Sequence, residues 1–354
     1  MIPHNKPCMY KEDAIQAYET VLSGWLAYGK KSTEVENKLS KLIYATDKNK
    51  AIVCSNGTTA LYLALYALDI KKTDEVILPT YTCTAVLNAV KQIGAKAILV
   101  DIDERDLNLS FDMVKAKITK KIKAIIVIHT YGIACEIEKF QEFNIPIIED
   151  CSQSLGSKFE DGTQAGSKGD ISIFSFYATK MATGGYGGAV LSKDDSFRSK
   201  LKDYIEFDQP DKFYPRFNFL LSDINASIIS SQLDKLDYFL EKRLLIANKY
   251  KEVIQNKWLK YANNSGQNYY RFILSFESRD SLKRIYNQFK SNNIGVINPL
   301  ENSELLHSYV GEEKKSFLIA EKASYTLLSI PIYPCLKEEE LNLIITTLKE
   351  LQLI

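Results

Sequence analysis

Short apolar runs alternate with amphipathic stretches between residues 50 and 200 of this chain. The runs are rich in isoleucine and valine and lack a clean apolar–polar alternation, which is typical of strands buried on both faces. Because strands that alternate with helices build parallel sheets, the pattern predicts an α/β fold with a mostly parallel sheet and helices on both faces. The predicted strands are Ala51–Cys54, Glu75–Leu78, Lys96–Val100, Ala124–Ile128, Ile145–Ile148 and Ile171–Phe174. The predicted helices between them are Thr58–Leu68, Cys83–Ile93 and Phe111–Lys117.

A chain of 354 residues exceeds the length that one hydrophobic core usually serves, so we predict two domains. A long helical stretch, Ser222–Lys251, carries apolar residues at helical spacing and would join the domains as one helix or two. We place the boundary in this stretch, with a large α/β domain at residues 1–235 and a small α+β domain at residues 236–354. The predicted elements of the small domain are a strand at Tyr270–Phe276, a helix at Arg279–Asn292, a short strand near Val296, and helices at about Phe317–Leu328 and Glu338–Leu351.

Composition narrows the classes of function. The net charge is +1 and no basic stripe is present, so we expect neither a nucleic-acid partner nor a membrane-surface partner. No apolar run is long enough to span a membrane, and the N-terminus lacks the apolar core of a signal peptide, which together predict a cytoplasmic protein. The six cysteines form no C-x-x-C pair and only three histidines accompany them, so we expect no metal site and a reducing compartment.

The segment Cys54-Ser-Asn-Gly-Thr-Thr-Ala60 passes from a predicted strand into a predicted helix. Gly57 permits a tight turn, and the backbone N–H groups and hydroxyls of Thr58 and Thr59 then stand at a helix start, where anions bind. A plain strand-to-helix turn with a threonine cap explains the segment equally well. The segment lacks the spacing and the lysine of a Walker A loop.

Asp150 follows the predicted strand Ile145–Ile148 directly. Ligand groups in open α/β sheets gather at the carboxyl ends of strands, so Asp150 is a candidate site residue. Its alternative interpretation is a helix N-cap. Gln153 lies one turn further on, where its amide could reach a phenolic oxygen, although by itself it is indistinguishable from a surface glutamine.

Lys180 lies shortly after the next predicted strand, which Ser175 ends, and a glycine-rich run at residues 183–188 follows it. A lone lysine after a strand is usually solvated. The combination of an anion cradle, an acid, a serine and a lysine, each at a strand end, indicates a pyridoxal phosphate site instead. The lysine forms a Schiff base with the cofactor aldehyde, and the acid keeps the pyridine nitrogen protonated so that the ring accepts electrons.

These residues resemble those of the DegT/DnrJ/EryC1/StrS family of sugar aminotransferases, which are pyridoxal-phosphate enzymes of fold type I with a seven-stranded-type sheet. The resemblance covers nearly the whole chain and is strongest at residues 148–156 and 169–180. The further segments that carry it are Ser23–Gly29, Asn56–Leu61, Val76–Thr82, His129–Gly132 and Leu328–Pro334.

The resemblance implies a role for each candidate residue. Lys180 would bind the cofactor covalently and Asp150 would contact the pyridine nitrogen, which makes these two the catalytic residues. Gln153 would lie near the ring oxygen, and Asn218 would reach the site from the partner subunit of a homodimer. The residues expected to hold the phosphate are Gly57, Thr58, Thr59 and Ser175, and Cys83 occupies the position where the family has an aromatic residue stacked on the ring.

The resemblance further implies transfer of an amino group from an amino acid, L-glutamate by analogy, to a keto-sugar linked to a nucleotide, in amino-sugar or surface polysaccharide biosynthesis. Departures from the family pattern at Cys83, Tyr186, Leu220 and Glu301 leave open a non-nucleotide ketone, such as a cyclitol or a small phosphorylated ketone. Family members that eliminate water from sugars have a histidine in place of the lysine, so Lys180 argues against a dehydratase. A regulatory protein with a vestigial cofactor site is a third reading.

Overall fold

The computed structural model describes residues 1–205, 212, 213 and 215–351. Its centre is a seven-stranded sheet with the strand order β1-β7-β6-β5-β4-β2-β3. The mixed α/β fold with a mostly parallel sheet is confirmed, and the six predicted strands are present. The seven strands are β1 (Ala51–Cys54), β2 (Glu75–Pro79), β3 (Lys96–Val100), β4 (Ile122–Ile128), β5 (Ile147–Asp150), β6 (Ile171–Ser175) and β7 (Gly188–Leu191).

Strand β7 was not predicted, and it is the strand that runs against its neighbours. It pairs antiparallel with both β1 and β6, whereas the strands from β6 to β3 pair in parallel. Gly188, at the start of β7, lies in register with Cys54 at the end of β1 and with Ser175 at the end of β6. The carboxyl ends of the parallel strands and the beginning of β7 therefore share one edge of the sheet.

Helices cover both faces of the sheet and make up much of the rest of the described chain. The described helices longer than one 3-10 turn are α1 (Lys11–Leu22), α2 (Lys30–Tyr44), α3 (Gly57–Ala67), α4 (Thr84–Gln92), α5 (Phe111–Lys115), α6 (Ile137–Gln141), α7 (Asp195–Ile205), α8 (Asp223–Asp234), α9 (Leu236–Lys251), α10 (Arg279–Ser291), α11 (Leu306–Val310), α12 (Leu318–Thr326) and α13 (Glu338–Glu350). The predicted helices are all present with shifted ends, and the long stretch is divided into α8 and α9.

Helices α1 and α2 were missed because part of their support is distant in sequence. The carboxylate of Asp223, at the start of α8, accepts hydrogen bonds from the N–H groups of Gly29, Lys31 and Ser32 at 2.9–3.0 Å. This side chain satisfies the unpaired donors at the beginning of α2. No local pattern around residue 30 reveals a cap that lies almost two hundred residues away.

A second core forms around the two-stranded sheet of β8 (Phe272–Ser275) and β9 (Leu327–Ile330) with α9, α10 and α13. The predicted strand near Val296 is wrong, because this segment contributes only isolated bridges, from Ile294 to Ile2 and from Ile297 to Ser329. The predicted helix to Leu328 was too long, since the backbone after Thr326 pairs with β8 instead. The proposed domain boundary falls at Lys235 between α8 and α9 and stays a prediction, because Ile2 also packs into this second core. No helix in the described ranges combines the length and the apolar character needed to cross a bilayer.

Candidate active site

Helix α3 begins at the sheet edge with two free backbone donors. Asn56 is its N-cap, and its Oδ1 accepts the N–H of Thr59 at 2.9 Å. The N–H groups of Gly57 and Thr58 have no acceptor within the described part of the chain, and they lie at the positive end of the helix dipole. The threonine cap considered from the sequence is wrong, since the cap is asparagine. In the predicted anion site, the available donors are therefore the backbone N–H groups of Gly57 and Thr58. The hydroxyl of Thr59 lies 3.3 Å from Ser55 Oγ.

Two glycines bring this helix start close to the strands. A Cβ placed on Gly57 would lie 2.8 Å from Ser175 Cβ and 3.0 Å from Ser175 Oγ. A Cβ on Gly188 would lie 2.3 Å from the carbonyl oxygen of Asn56. The hydroxyl of Ser175 consequently lies beside the free donors of α3, where it can bind the same anion.

Asp150 is buried at the end of β5, and its backbone pairs in register with Ile128 and Ile173 of the neighbouring strands. Its Oδ1 accepts the N–H of Ser152 at 2.9 Å, whereas no donor among the described residues reaches its Oδ2. The helix N-cap interpretation is wrong, because a turn and not a helix follows at residues 152–156. One carboxylate oxygen is thus available to a ligand.

Gln153 is half-buried, and a backbone contact sets the orientation of its amide. Its Oε1 accepts the N–H of Tyr131 at 3.0 Å, so the Nε2 group is the side that can donate to a ligand. Tyr131 has the left-handed backbone angle φ 55° and is itself buried, with its hydroxyl 2.9 Å from that of Tyr81. The Tyr81 side chain is therefore held by its hydrogen bond with the Tyr131 hydroxyl.

Lys180 lies in a turn beyond β6, where its N–H donates to the carbonyl of Tyr177 at 2.9 Å. The side chain is half-buried, and its Nζ lies 5.3 Å from the ring centroid of Tyr270. Burial would raise the pKa of the Tyr270 hydroxyl, but the positive charges of Lys180 and Arg271 outweigh burial and lower this pKa. The lysine thus lies near the buried ring of Tyr270, which packs in the core of the large sheet, and it is not freely solvated.

Arg271 was missed from the sequence. It immediately precedes β8, and its Cζ lies 5.6 Å from the ring centroid of Tyr270 and 5.9 Å from that of Tyr131. It also lines a cavity of about 1270 Å³ between α10 and the segment 296–304. An arginine at the start of the mostly apolar run Tyr270–Phe276 was the available sequence signal.

Two of the predicted site residues, Cys83 and Asn218, are exposed. Cys83 is exposed as the residue before α4, and its carbonyl accepts the N–H of Val86. Asn218 is exposed as well, although the neighbouring carbonyl of Phe219 accepts the N–H of Ser55 at 2.8 Å. No hydrogen bond joins Cys83 or Asn218 to the other predicted site residues in the described ranges.

The remaining departures from the family pattern occupy different surroundings. Tyr186 is 62% exposed and packs edge-on against Tyr177 with 5.6 Å between the ring centroids. Leu220 is half-buried against the core of the large sheet. Glu301 is exposed on the wall of the cavity that Arg271 also lines, so it lies where it can influence a substrate.

His129, Glu149 and Cys151 form a buried group of metal-ligand types that the sequence did not predict. Their ligand atoms already have partners or hold a proton. His129 Nδ1 accepts the N–H of Cys135, and His129 Nε2 donates to Glu149 at 2.8 Å. Burial, and then the charge of Glu149, raises the pKa of the Cys151 thiol, so this group does not act as a thiolate.

Comparison with known proteins identifies the chain. A model of the DegT/DnrJ/EryC1/StrS aminotransferase family matches residues 7–349. The chain belongs to this family. The resemblance predicted from the motifs is therefore confirmed, and the protein is a pyridoxal-phosphate-dependent aminotransferase.

Two curated relatives and one solved structure are similar over almost their full lengths. The GDP-perosamine synthase of Escherichia coli O157:H7 is 30% identical, covering 99% of this chain and 98% of the relative. That of Vibrio cholerae is 27% identical with the same coverage. The pyridoxal-phosphate form of Spr1654 from Streptococcus pneumoniae superposes with a TM-score of 0.87 at 23% identity, over 99% of this chain and 98% of that one, and a pyridoxamine-phosphate form is similar too.

Proposed function

We propose that this family member transfers the amino group of L-glutamate to a keto-sugar linked to a nucleoside diphosphate, in amino-sugar or surface polysaccharide biosynthesis. The observation that carries the proposal is the large cavity, which Arg271 and Tyr270 connect to Lys180. Its lining contains four cationic side chains beside three glutamates, and a ligand that carries phosphates would bind the cations. The GDP-perosamine synthases among the relatives favour the same class of acceptor.

The residues present fit pyridoxal phosphate. We assign Lys180 to the cofactor aldehyde, Asp150 through its available oxygen to the pyridine nitrogen, and the Nε2 group of Gln153 to the ring oxygen. Gly57, Thr58 and Ser175 would bind the phosphate, helped by the hydroxyl of Thr59. The support for these assignments is the chemistry of the donors and their convergence at one sheet edge.

When bound, the cofactor supplies a ring that takes up the electron pair released at the substrate α-carbon. The Nζ of Lys180 would accept the proton released from the donor α-carbon and hold it for return later in the transfer. The carboxylate of Asp150 stabilises a positive charge on the nitrogen it contacts. Gln153 keeps the ring oriented by donating to its oxygen. The same groups work in reverse order when the keto-sugar takes up the amine.

We further propose a homodimer in which Asn218 completes the site of the partner subunit. The exposed position of Asn218, one residue before the backbone contact to the Ser55 loop, supports this assignment. Exposed apolar side chains also lie nearby in sequence, with Phe213 92% and Phe217 39% exposed. A symmetric interface that covers these rings would remove them from water.

The test uses the visible absorbance of the purified holoenzyme. Amino acids are added singly, and L-glutamate is expected to bleach the absorbance fastest. The aminated form is then offered GDP-, UDP- and dTDP-linked keto-sugars beside a cyclitol ketone and a ketose phosphate, and products are analysed by mass. Amination of a nucleotide-linked sugar supports the proposal, whereas amination of only a free ketone, or a deoxy-sugar product, contradicts it.

A further inference from the structure

Arg271 is a half-buried cation that lacks an acidic partner. No carboxylate of a described residue lies within ion-pair distance of its guanidinium, which faces the rings of Tyr131 and Tyr270. Its Nη1 lies 3.5 Å from His4 Nε2. Burial, and then the charge of Arg271, lowers the pKa of His4 to about 3, so this neighbour is neutral and leaves the arginine charge uncompensated.

In the cavity next to Arg271, most of the cationic side chains lack an ion-pair partner among the described residues. Its charged lining residues are Arg271, Arg279, Lys283, Lys314, Glu301, Glu304 and Glu321. Glu321 is engaged by His307 Nε2 at 2.9 Å and by Lys314 at 3.5 Å. Glu304 accepts the N–H of Glu301 at 2.7 Å. Within the described ranges, Arg279 and Lys283, like Arg271, have no ion-pair partner.

We propose that Arg271 binds the diphosphate of the sugar nucleotide and thereby positions the keto-sugar next to Lys180. This inference rests on the acceptor class proposed above. Both Lys180 Nζ and Arg271 Cζ lie within 6 Å of the Tyr270 centroid, so their separation cannot exceed the two distances combined. A hexose lies between the reacting carbon and the diphosphate of such a substrate, so the two cations would act at opposite ends of the same sugar.

The size of the cavity argues for a nucleotide and against the amino-acid donor. A volume of about 1270 Å³ exceeds the upper end of ordinary small-molecule pockets, roughly 1,000 Å³, and greatly exceeds what glutamate needs. The planar guanidinium matches phosphate oxygens in a bidentate geometry that a lysine cannot reproduce. The positive charges of Arg279 and Lys283 on α10 would attract the same diphosphate from another part of the cavity wall.

The test measures equilibrium binding to the holoenzyme by calorimetry, with GDP as the nucleoside diphosphate and glutarate as a stand-in for the donor. Arg271→Ala is expected to weaken GDP binding at least about tenfold, which is about 1.4 kcal/mol. The GDP affinity of Arg271→Lys should lie between those of the wild type and Arg271→Ala, because lysine keeps the charge and most of the aliphatic part of the side chain. Arg284→Ala, the matched control on an exposed position of α10 outside the cavity lining, should stay within about twofold for both ligands.

An unchanged GDP affinity in both Arg271 variants overturns the inference, and so does a loss of glutarate binding as large as the loss of GDP binding. Thermal melting of Arg271→Lys shows whether the fold is retained, so that weaker binding there reflects the lost bidentate geometry. GDP binding requires no turnover. Arg271-dependent GDP binding in an enzyme that aminates no nucleotide-linked sugar would therefore contradict the proposed reaction and still support the anion site.

Discussion

His129 Nε2 donates a hydrogen bond to Glu149 Oε2 at 2.8 Å, and both side chains are fully buried. Three backbone N–H groups complete the coordination of this carboxylate, from Gly166 at 2.7 Å, from Lys168 at 2.8 Å and from Gly169. Burial alone would raise the pKa of Glu149, but these donors outweigh it and the pKa is lowered. A charged group next to Asp150 thus fastens the loop before β6 to the end of β5.

The first prediction concerns acid stability. Because the pKa of Glu149 in the folded protein lies below its ordinary value of 4.5, its contribution is complete above that pH and is lost as the pH falls through the folded pKa. Glu149→Gln should cost about 3 kcal/mol at pH 7, since an amide cannot accept from all these donors. Chemical denaturation at pH 7 and at pH 3.5 should show the difference between the two proteins shrinking on acidification. A difference that stays constant would contradict this role.

The second prediction isolates the donor of Gln153. Glutamate at this position keeps an oxygen for the N–H of Tyr131 and replaces the Nε2 donor that we assign to the cofactor by an anionic oxygen, which cannot donate and would repel the ring oxygen. Gln153→Glu should therefore weaken cofactor binding about tenfold, or about 1.4 kcal/mol, without lowering the stability of the apoprotein. Dissociation is followed by dialysis and absorbance. Unchanged cofactor affinity together with unchanged stability would show that the amide donates elsewhere.

The third prediction concerns Asp150. Its alanine variant should lose at least about 10³-fold in kcat, because the neighbouring Glu149 carboxylate is held by His129 and by backbone N–H groups and cannot replace it at the ring nitrogen. The matched control is Asp112→Ala on an exposed position of α5, which should retain full activity. The measurement is single-turnover amination of the cofactor by the best donor. A loss below about tenfold for Asp150→Ala is incompatible with the assigned role.

The fourth prediction concerns the close approach of α3 to β6. Gly57→Ala places a methyl group within 3 Å of Ser175, which should cost about 2 kcal/mol and exceed the gain in helix propensity. Replacing Ser175 by glycine removes both clashing atoms and leaves the nearest neighbour at 3.6 Å. The double variant should thus be more stable than additivity of the single variants predicts. Urea denaturation of the four proteins measures the coupling, and strict additivity would show that the contact is relieved in another way.

The fifth prediction tests the composition of the site. If Asn218 acts across a dimer, a heterodimer of Lys180→Ala and Asn218→Ala chains contains one intact site. Co-expression of these inactive variants should restore about a quarter of the wild-type activity. Lys180→Ala with Asp150→Ala should restore none, because each site of that heterodimer lacks a group from its own chain. Failure of the first pair to complement, or a monomer in sedimentation, would contradict the proposal.

The sequence predicted those parts of the fold that depend on local pattern. The Ile- and Val-rich strands and the amphipathic helices between them could be predicted, because the pattern of buried residues in each lies within a short stretch of sequence. Strand β7 was missed, since its four residues follow a glycine-rich run without a helix and pair with two distant strands. Helix α2 was missed because its cap, Asp223, is donated by α8.

The same distinction applies to the site. Asp150 and Ser175 end strands and Lys180 follows one, so these residues could be recognised by position, whereas the roles assigned to them are still predictions. The orientation of the Gln153 amide depends on the backbone of Tyr131, which a sequence pattern does not contain. Arg271 could be placed near Lys180 only from the structure, where both cations lie within 6 Å of the Tyr270 ring centroid although they are far apart in the sequence.

Because β7 starts where β6 ends, the chain from Ser175 to Gly188 is a short arch that leaves the sheet edge and returns to it one strand away. Inserting or deleting a residue there would displace the amine of Lys180 and shift the pairing of two strands at once. Changes of length are therefore better tolerated in the walls of the cavity that Arg271 lines, where they would leave the amine of Lys180 in place.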